Sequence, residues 1–340
     1  MGLIGAGVMG ADHANTLRHS VAGARLAGVH DTDRQRAAMV AGIAGARVHP
    51  SDHELIESPD VDAVIIASHD SAHARQVLAC IRAGKPVLCE KPLAPSIEDC
   101  QEILTAQQQR GMGDLVSIGF MRRFHPGFTA MKAELDSAVL GEPLLALASH
   151  RNVRAYPTGG SVGTLTNSAV HDIDITEWLL GSPITEVGWF APKPTSLDRD
   201  RHDPQLIHLR TASGVLISVD LFVNAQYGYD VRYELVCERG TVRLAASVPI
   251  LTDRDLAHGY AHATDWRAFF ADAYRLELQA WVDATSSGRA TALATVSDGL
   301  RSTLVAQALV RSMHTRQPVA VSEVSPGHSA HHADDVDLPV

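Results

Sequence analysis

Three glycines close to the N-terminus constrain the fold of this chain more than any other feature. The chain begins Met-Gly-Leu-Ile-Gly-Ala-Gly-Val-Met-Gly, so Gly5, Gly7 and Gly10 lie between a short apolar run and a helical pattern. In a strand–turn–helix unit the first such glycine permits a tight turn, the second admits a ligand to the backbone, and the third lets helix and strand pack closely. The helix N-terminus then offers free N–H groups to an anion. The pattern predicts a phosphate-binding turn that also includes Val8 and Met9.

A carboxylate after the next apolar run indicates which kind of phosphate compound binds. Residues 25–30 read as a strand, and Asp31 follows at 21 residues beyond Gly10. This offset is close to the roughly 20 residues expected for the acid that binds the adenosine ribose of a dinucleotide. A carboxylate there accepts from the 2′ and 3′ hydroxyls and repels a 2′-phosphate, so the sequence favours NAD over NADP. Arg34 and Arg36 lie nearby, but we prefer to interpret them as solvated residues of the next helix.

Apolar runs alternate with helical patterns throughout the first 120 residues. Further strands are predicted at 61–67, 86–90 and 115–120, and helices at 10–20, 33–43, 71–83 and 96–110. This alternation is typical of a parallel sheet covered by helices on both faces. We therefore expect residues 1–120 to form an N-terminal α/β domain of the Rossmann type, with a doubly wound parallel sheet.

The pattern changes after residue 120. Strand-like runs joined by short turns occupy 143–152, 184–190, 206–212, 215–224 and 231–245. They predict an antiparallel meander, interrupted by a helix at 168–180 and followed by helices at 265–287 and 296–316. Residues 121–320 should thus form a second α/β domain with an open, mostly antiparallel sheet. The segment 321–340 contains Pro, Gly and adjacent His and Asp pairs, and we expect a mobile tail there.

Composition excludes several classes of protein. The formal charge is −10 and no long basic run exists, so nucleic-acid binding has no electrostatic basis. No apolar stretch approaches the roughly 18 residues of a membrane-spanning helix, and the N-terminus does not resemble a secretory signal. The four cysteines lack metal-binding or redox spacing, which favours reduced thiols and a cytoplasmic location. The His258/His262 and His331/His332 pairs have no third ligand at suitable spacing, so no metal site is expected.

A lysine follows one of the predicted parallel strands. Glu90-Lys91-Pro92 comes directly after the apolar run 86–89, and ligands of doubly wound sheets bind beyond the carboxyl ends of strands. A lysine there can donate to a substrate hydroxyl and stabilise charge in the transition state. The alternative is a surface lysine at a strand end. We favour the functional interpretation, because the chain has few lysines and Pro92 restricts the backbone.

The helix predicted near 168–180 carries polar residues at helical spacing. Asn167, His171 and Asp174 are separated by 4 and 3 residues, which places them on one face of a helix. A histidine held by a neighbouring carboxylate is a competent general base near neutral pH. A capped amphipathic helix with its polar face in water explains the spacing equally well, so the pattern leaves both interpretations open.

These motifs together resemble the Gfo/Idh/MocA family of oxidoreductases over nearly the whole chain. The resemblance rests on the glycine turn, Ala67-Ser68, His73, the Glu-Lys-Pro element, and the helix with His171 and Asp174. The stretches 119–123, 150–152 and 224–230 are similar, more narrowly, to the inositol dehydrogenases of that family. The resemblance implies NAD-dependent oxidation of a secondary alcohol on a cyclitol, myo-inositol or a modified inositol. It also implies a homodimer or homotetramer formed through the open sheet.

The resemblance assigns roles to individual positions. Catalytic roles fall on Lys91 and His171, with Asn167 beside them; substrate contacts fall on Asn152, Asp174, Tyr227 and Tyr229; the nicotinamide side of the cofactor falls on Ser68, His69, His73, Glu90 and Lys91. Inositol dehydrogenases usually carry aspartate where this chain has Asn167. An amide supplies no full charge to an imidazolium, so we expect a lowered pKa for His171. The enzyme would then be slower, would draw the charge from Asp172 or Asp174, or would act on a modified cyclitol.

Two other functions fit the same motifs. One is a dehydrogenase that acts on another sugar or on a nucleotide sugar. The other is a regulator that binds the dinucleotide without catalysis, which Asn167 mildly favours and which the intact Lys91 and His171 oppose.

Overall fold

A six-stranded parallel sheet forms the N-terminal half of this computed structural model, which describes residues 1–111, 115–156, 158–245 and 250–324. Its strands are β1 (Gly2–Ile4), β2 (Gly28–His30), β3 (Arg47–Val48), β4 (Val64–Ile66), β5 (Val87–Glu90) and β6 (Val116–Gly119). The order in the sheet is β3-β2-β1-β4-β5-β6, and every pair is parallel. The prediction of a doubly wound parallel sheet is therefore confirmed.

In the described part of this half, the α-helices that accompany the sheet are α1 (Val8–Ser20), α2 (Arg34–Ala44), α3 (Asp52–Glu57), α4 (His73–Ala83) and α5 (Ile97–Arg110). The short α3 and β3 had no counterpart in the sequence prediction. The strand order reverses at β1, because β2 lies on one side of it and β4 on the other. Ligands of open α/β sheets bind outside the carboxyl ends of the strands at such a switch point. The glycine turn after β1 and the Glu-Lys-Pro element at the end of β5 lie at this edge.

A second, seven-stranded sheet forms the C-terminal half. In chain order the strands of this half are β7 (Pro143–Arg151), β8 (Ile184–Phe190), β9 (Gln205–Thr211), β10 (Leu216–Phe222), β11 (Asp230–Cys237), β12 (Gly240–Arg243), the separate hairpin β13 (Thr252–Arg254) and β14 (Ala257–Gly259), and β15 (Val319–Ala320). The order in the sheet is β12-β11-β7-β10-β9-β8-β15. The prediction of a mostly antiparallel sheet is confirmed, but the simple meander is wrong at one place. There β7 runs parallel to β10, since the chain leaves β7 through a helix before it returns.

The remaining helices are α6 (Pro126–Asp136), α7 (Gly160–Gly163), α8 (Val170–Leu180), α9 (Trp266–Phe269), α10 (Ala271–Ser287) and α11 (Val296–Thr315). The single helix expected at 265–287 is thus two helices, separated at Phe270. Leu278, Trp281 and Val282 of α10 belong to one apolar cluster with side chains of α1 and α2. A helix from the C-terminal half therefore covers part of the N-terminal half, and the two halves interlock.

The end of the described chain is packed rather than free. Val321–Val324 form a 3-10 turn in which Val321 is buried, so the packed chain extends beyond the predicted start of the tail at 321. The rest of that predicted tail, with His331 and His332, lies outside the described residues. Within the described part of the chain, no helix has the length and apolar character needed to cross a membrane.

Candidate active site

Backbone packing explains two of the three glycines of the turn, and open space explains the third. A Cβ atom on Gly10 would lie 1.9 Å from the carbonyl oxygen of Gly5, and one on Gly5 would lie 2.5 Å from the backbone of Ala67. A Cβ atom on Gly7 would meet nothing within 4 Å. The first turn of α1 contains no acidic side chain, and no side chain caps its N-terminus. The turn therefore presents an open backbone surface and free N–H groups, which fit a pyrophosphate.

Asp31 is held rigidly at the end of β2. Its Oδ2 accepts from the N–H of Ala6 at 2.6 Å, and its Oδ1 accepts from the N–H of Asp33 at 2.7 Å. Oδ1 also accepts from the guanidinium of Arg36 at 2.9 Å. Burial alone would raise the pKa of Asp31, but these donors outweigh it and hold that pKa below its usual value. The carboxylate is thus charged and placed to accept from ribose hydroxyls. Arg36 is its partner and not merely a solvated residue of α2.

The residues predicted on the nicotinamide side occupy different positions. Ser68 follows β4 and donates to the amide oxygen of Gln76 at 2.7 Å. His73 is buried between two carbonyl oxygens, those of Pro92 at 2.8 Å and Ser68 at 3.2 Å, so it connects the ends of β4 and β5. The side chain of His69 is 82% exposed and contacts Asp70. In the structure His73 therefore supports the loops that would line the cofactor site, and His69 points to solvent.

Glu90 at the end of β5 is buried and bonded to its surroundings through both carboxylate oxygens. Oε1 accepts from Nε2 of His13 at 2.7 Å, and Oε2 accepts from the N–H of Lys91 at 3.3 Å. Burial acts to raise the pKa of Glu90, but the hydrogen bond from His13 and the charges of His13 and Lys91 lower it overall. Glu90 is therefore an anion that connects α1 to the backbone of the catalytic lysine candidate.

Lys91 extends from the cofactor edge of the sheet to the helix segment that precedes α8. Its Nζ donates to the side-chain oxygen of Asn167 at 2.7 Å and to the main-chain oxygen of the same residue at 3.0 Å. Both acceptors are uncharged. Burial lowers the pKa of Lys91 to about 8; the charges of Glu90 and Asp70 act to raise it, and that of Arg122 lowers it further. Lys91 can therefore exchange its proton within the pH range in which enzymes commonly work.

Asn167 lies in a π-helical turn, Thr164–Ser168, and not in α8 itself. Such turns are rare and often occur at functional sites. The turn brings both oxygens of Asn167 to Lys91, a contact that simple helical spacing could not indicate.

His171, in the first turn of α8, is 8% exposed, and its Nδ1 has no hydrogen-bond partner within the described residues. Its ring lies edge-on to those of Phe120 and His150, at 6.3 and 6.4 Å between centroids. Burial lowers the pKa of His171 well below its usual value, and the charges of Lys91 and Arg122 lower it further. The imidazole is therefore neutral, with a ring nitrogen that can accept a proton. The main cause of its lowered pKa is burial, whereas the sequence prediction attributed a lowered pKa to the amide at position 167.

Asp172 belongs to a different buried network. Its Oδ1 accepts from Arg122 at 2.6 Å, and its Oδ2 bonds to Nδ1 of His150 at 2.7 Å. The side chains of Arg122 and Asp172 are each 1% exposed. Nδ1 of His150 also lies 3.2 Å from a guanidinium nitrogen of Arg122, so this ring nitrogen contacts both members of the ion pair. Among the contacts of the described residues, Asp172 bonds to His150 and does not bond to His171.

Two predicted substrate residues lie at the cavity. Asn152 follows β7, and its side-chain oxygen is buried without a hydrogen-bond partner in the described part of the chain. Tyr229 is 3% exposed, and its ring lies edge-on to that of His150 at 6.0 Å between centroids. Burial raises the pKa of Tyr229 to about 12, so the phenol keeps its proton.

The structure does not bring Asp174 and Tyr227 to the cavity. Asp174 accepts twice from Arg123, at 2.6 and 3.0 Å, and is 3% exposed. It therefore faces neither a cavity nor water, because an arginine 51 residues away in the sequence covers it. Tyr227 is 44% exposed, and its hydroxyl donates to Asp230 at 2.6 Å.

One cavity joins the two halves of the molecule. The residues predicted from the sequence that line it are Met9, Glu90, Lys91, Asn152, Asn167, His171 and Tyr229. Sequence reasoning assigned no role to its other lining residues, which are Met121, His150, Tyr156, Ser168, Trp266 and Tyr274. Trp266 also touches the glycine turn, since its indole N–H lies 3.2 Å from the sulfur of Met9. The described residues include no group of three or more His, Cys, Asp and Glu that could hold a metal ion.

A dinucleotide turn, a lysine and a neutral histidine at one cavity define an oxidoreductase site on a Rossmann fold. Two family models agree: the oxidoreductase family with an NAD-binding Rossmann fold matches residues 1–120, and the C-terminal alpha/beta domain of the same family matches residues 132–321. The chain belongs to the Gfo/Idh/MocA family of NAD-dependent oxidoreductases.

Within this family, the chain is similar to several inositol dehydrogenases. The chain is 47% identical over 319 residues to inositol 2-dehydrogenase 2 of Paenarthrobacter aurescens, covering 93% of this chain and 96% of the relative. It is 46% identical over 328 residues to inositol 2-dehydrogenase 2 of Saccharopolyspora erythraea, covering 96% of both. The crystal structure of Lactobacillus casei myo-inositol dehydrogenase in complex with NAD(H) and myo-inositol superposes with a TM-score of 0.90. That pair is 29% identical, and the match covers 99% of this chain and 97% of the other.

Proposed function

We propose that this protein oxidises a secondary alcohol of a cyclitol ring, myo-inositol or a modified inositol, to the ketone with NAD. The proposal rests chiefly on the approach of Lys91 to Asn167 at the cavity that also contains His171 and Asn152. The names of the relatives and the inositol bound to the Lactobacillus enzyme support the substrate class.

The residues of the cavity divide the work of alcohol oxidation. NAD, when bound at the glycine turn, supplies the hydride acceptor. The ammonium of Lys91 donates to the hydroxyl that reacts and stabilises the negative charge that develops on its oxygen. The neutral imidazole of His171 takes the hydroxyl proton as the carbon loses its hydride. The unpartnered amide oxygen of Asn152 accepts from a second ring hydroxyl and so orients the ring.

Asn167, in place of the usual aspartate, indicates that this site differs from other inositol dehydrogenases in its substrate or in its catalytic rate. The two carboxylates that closely follow His171 in the sequence are bonded elsewhere, Asp172 to Arg122 and His150, and Asp174 to Arg123. We therefore infer that the imidazolium forms without a carboxylate partner. A substrate whose hydroxyl loses its proton more readily, such as an aminated cyclitol, fits this arrangement.

A substrate panel with NADH absorbance as the readout tests this function. We expect turnover with NAD and at least one of myo-inositol, scyllo-inositol, an O-methyl inositol and an amino inositol. The Lys91→Ala variant, purified in the same way, supplies the background rate. Turnover of an open sugar or a nucleotide sugar alone would favour the first alternative. NADH binding without turnover of any polyol would favour the regulator.

We further propose that the protein forms a homodimer or homotetramer through the open face of the seven-stranded sheet. The strand register places Leu147, Leu216 and Phe190 on one face, and they are 48%, 36% and 51% exposed. Exposed apolar side chains that share one surface are typical of protein interfaces. Light scattering should give a multimer for the parent protein and a smaller species for Leu147→Glu.

We propose a cytoplasmic location. All four cysteines are free and buried in the structure, and burial raises the pKa of Cys80, Cys89 and Cys100. Unpaired thiols suit a reducing compartment. Fractionation of the producing cells with an antibody to the protein tests the assignment.

A further inference from the structure

The adenosine end of the cofactor site contains an ion pair. The guanidinium of Arg36 reaches back from the first turn of α2 and donates to Oδ1 of Asp31 at 2.9 Å. Its Nε lies 3.6 Å from a carboxylate oxygen of Asp33, the residue that caps α2. The carboxylate that should receive the ribose hydroxyls is therefore already shared with a cation.

The two partners of this pair differ in how tightly they are held. The side chain of Asp31 is 6% exposed and bonded through both oxygens to backbone N–H groups. The side chain of Arg36 is 52% exposed. A rotation of Arg36 therefore costs few contacts, whereas a movement of Asp31 would break the bonds to Ala6 and Asp33. Arg36 is the adjustable member of the pair.

This asymmetry changes how the site responds to a phosphate on the ribose. A fixed carboxylate alone would repel a 2′-phosphate. A guanidinium beside it offsets that repulsion and offers several N–H donors in a planar fork, the geometry that suits phosphate oxygens. On Rossmann folds an acid binds the ribose 2′-hydroxyl of NAD, or a nearby arginine accommodates the 2′-phosphate of NADP, and this site contains a residue of each kind.

We propose that Arg36 makes the adenosine site of this protein accept NADP in addition to NAD, by binding the 2′-phosphate. With NAD, Arg36 remains near Asp31 while the carboxylate accepts from the ribose hydroxyls. With NADP, the guanidinium turns to the phosphate and compensates for the carboxylate. The inference concerns the cofactor alone and does not depend on which polyol the enzyme oxidises.

Arg34 supplies a matched control. It lies two residues before Arg36 and begins α2. Within the described residues it makes no hydrogen bond or ion pair with Asp31. Arg34→Ala removes the same charge from the same surface, so it separates a general electrostatic effect from a specific contact with the phosphate.

The test is a titration of the intact protein with NADH and with NADPH, followed by nicotinamide fluorescence and without any polyol. We expect the parent protein to bind both, with NADPH weaker. Arg36→Ala should weaken the binding of NADPH by about tenfold or more, as expected for the loss of a charge-assisted hydrogen bond. The same variant should change the affinity for NADH by less than about threefold. Arg36→Lys keeps the charge without the fork and should fall between the parent and Arg36→Ala.

Three results would overturn the proposal: no measurable NADPH binding to the parent protein, equal weakening of both cofactors by Arg36→Ala, or an equal loss of NADPH binding in Arg34→Ala. A failure of the substrate panel would leave these binding results unaffected, so the proposal and the cyclitol function can fail separately. The ratio of kcat/KM for NADP and NAD with an accepted polyol should follow the binding ratio.

Discussion

The two sides of the cavity are built by different means. On the cofactor side the shape comes from the backbone, where the carbonyl of Gly5 passes 1.9 Å from the place that a side chain on Gly10 would occupy. On the substrate side, buried ion pairs behind the lining residues hold distant segments in place. Arg122 bonds to Asp172 and Arg123 to Asp174, each at 2.6 Å and across about fifty residues of sequence.

This difference predicts which substitutions each side tolerates. A wall made of close backbone contacts is sensitive to added atoms, because the neighbouring main chain cannot move aside cheaply. A wall supported by buried ion pairs is sensitive to the removal of one partner, because the other charge is then left unpaired in a medium of low polarity. Lys91 lies where the two sides of the cavity meet. We expect its substitution to lower the catalytic rate more than it lowers the stability of the protein.

Lys91→Ala should lower kcat for the accepted polyol by roughly 10³- to 10⁴-fold, because it removes both a donor to the reacting oxygen and the local positive charge. Binding of NADH should persist, since the glycine turn and Asp31 are untouched. Steady-state NADH absorbance and a fluorescence titration measure the two effects. Lys132→Ala is the control, because Lys132 is paired with the exposed Asp136 on α6. Near-parent turnover in Lys91→Ala would remove this lysine from the mechanism.

Asp172→Asn should destabilise the protein by about 3 to 5 kcal/mol, because the buried guanidinium of Arg122 loses its counter-ion. Denaturant unfolding at neutral pH measures the loss. Asp136→Asn breaks an exposed pair of the same 2.6 Å length and should cost less than about 1 kcal/mol. Equal losses in the two variants would contradict the contrast between buried and exposed pairs.

The cofactor side could be predicted from the sequence because its determinants are local. The three glycines lie within six residues, and the offset to Asp31 is set by one helix and one strand. Lys91 could be placed for the same reason, since it ends an apolar strand of a sheet whose topology the alternation already indicated. Arg36 is an exception. The sequence predicts a solvated residue of α2 at this position and does not reveal that its side chain turns back to Asp31.

The substrate side could be predicted only in part, because long-range contacts determine it. Helical spacing correctly placed His171 in a helix but grouped it with Asp174, which Arg123 covers. Asp172, the residue directly after His171, pairs with an arginine 50 positions away. The π-helical turn at Thr164–Ser168 shifts Asn167 out of the regular helix. No local pattern distinguishes these outcomes, since the ion pairs join segments that are about fifty residues apart in the sequence.

Gly10→Ala and Gly7→Ala should separate stability from binding on the cofactor side. Gly10→Ala places a methyl group against the backbone of Gly5 and should cost about 1 to 3 kcal/mol, with NADH binding lost. Gly7→Ala meets open space, so its unfolding curve should match the parent, while NADH binding weakens by about tenfold. Gly42→Ala, also with nothing within 4 Å, controls for the added methyl group. A destabilised Gly7→Ala with normal NADH binding would contradict this division.

Asn167→Asp should produce the smallest effect, which is a shift in the pH dependence of kcat/KM. Asn167 contacts Lys91 where the two sides of the cavity meet. Protonated Lys91 stabilises the developing charge, and its pKa is about 8, so kcat/KM of the parent should fall as the pH rises above about 8. A carboxylate at 167 favours the ammonium form and should move this fall upward by about one pH unit or more. Asn167→Ala removes the amide acceptor without adding charge, so its fall should not move upward. An unchanged profile in Asn167→Asp would show that Lys91 does not govern the alkaline limb.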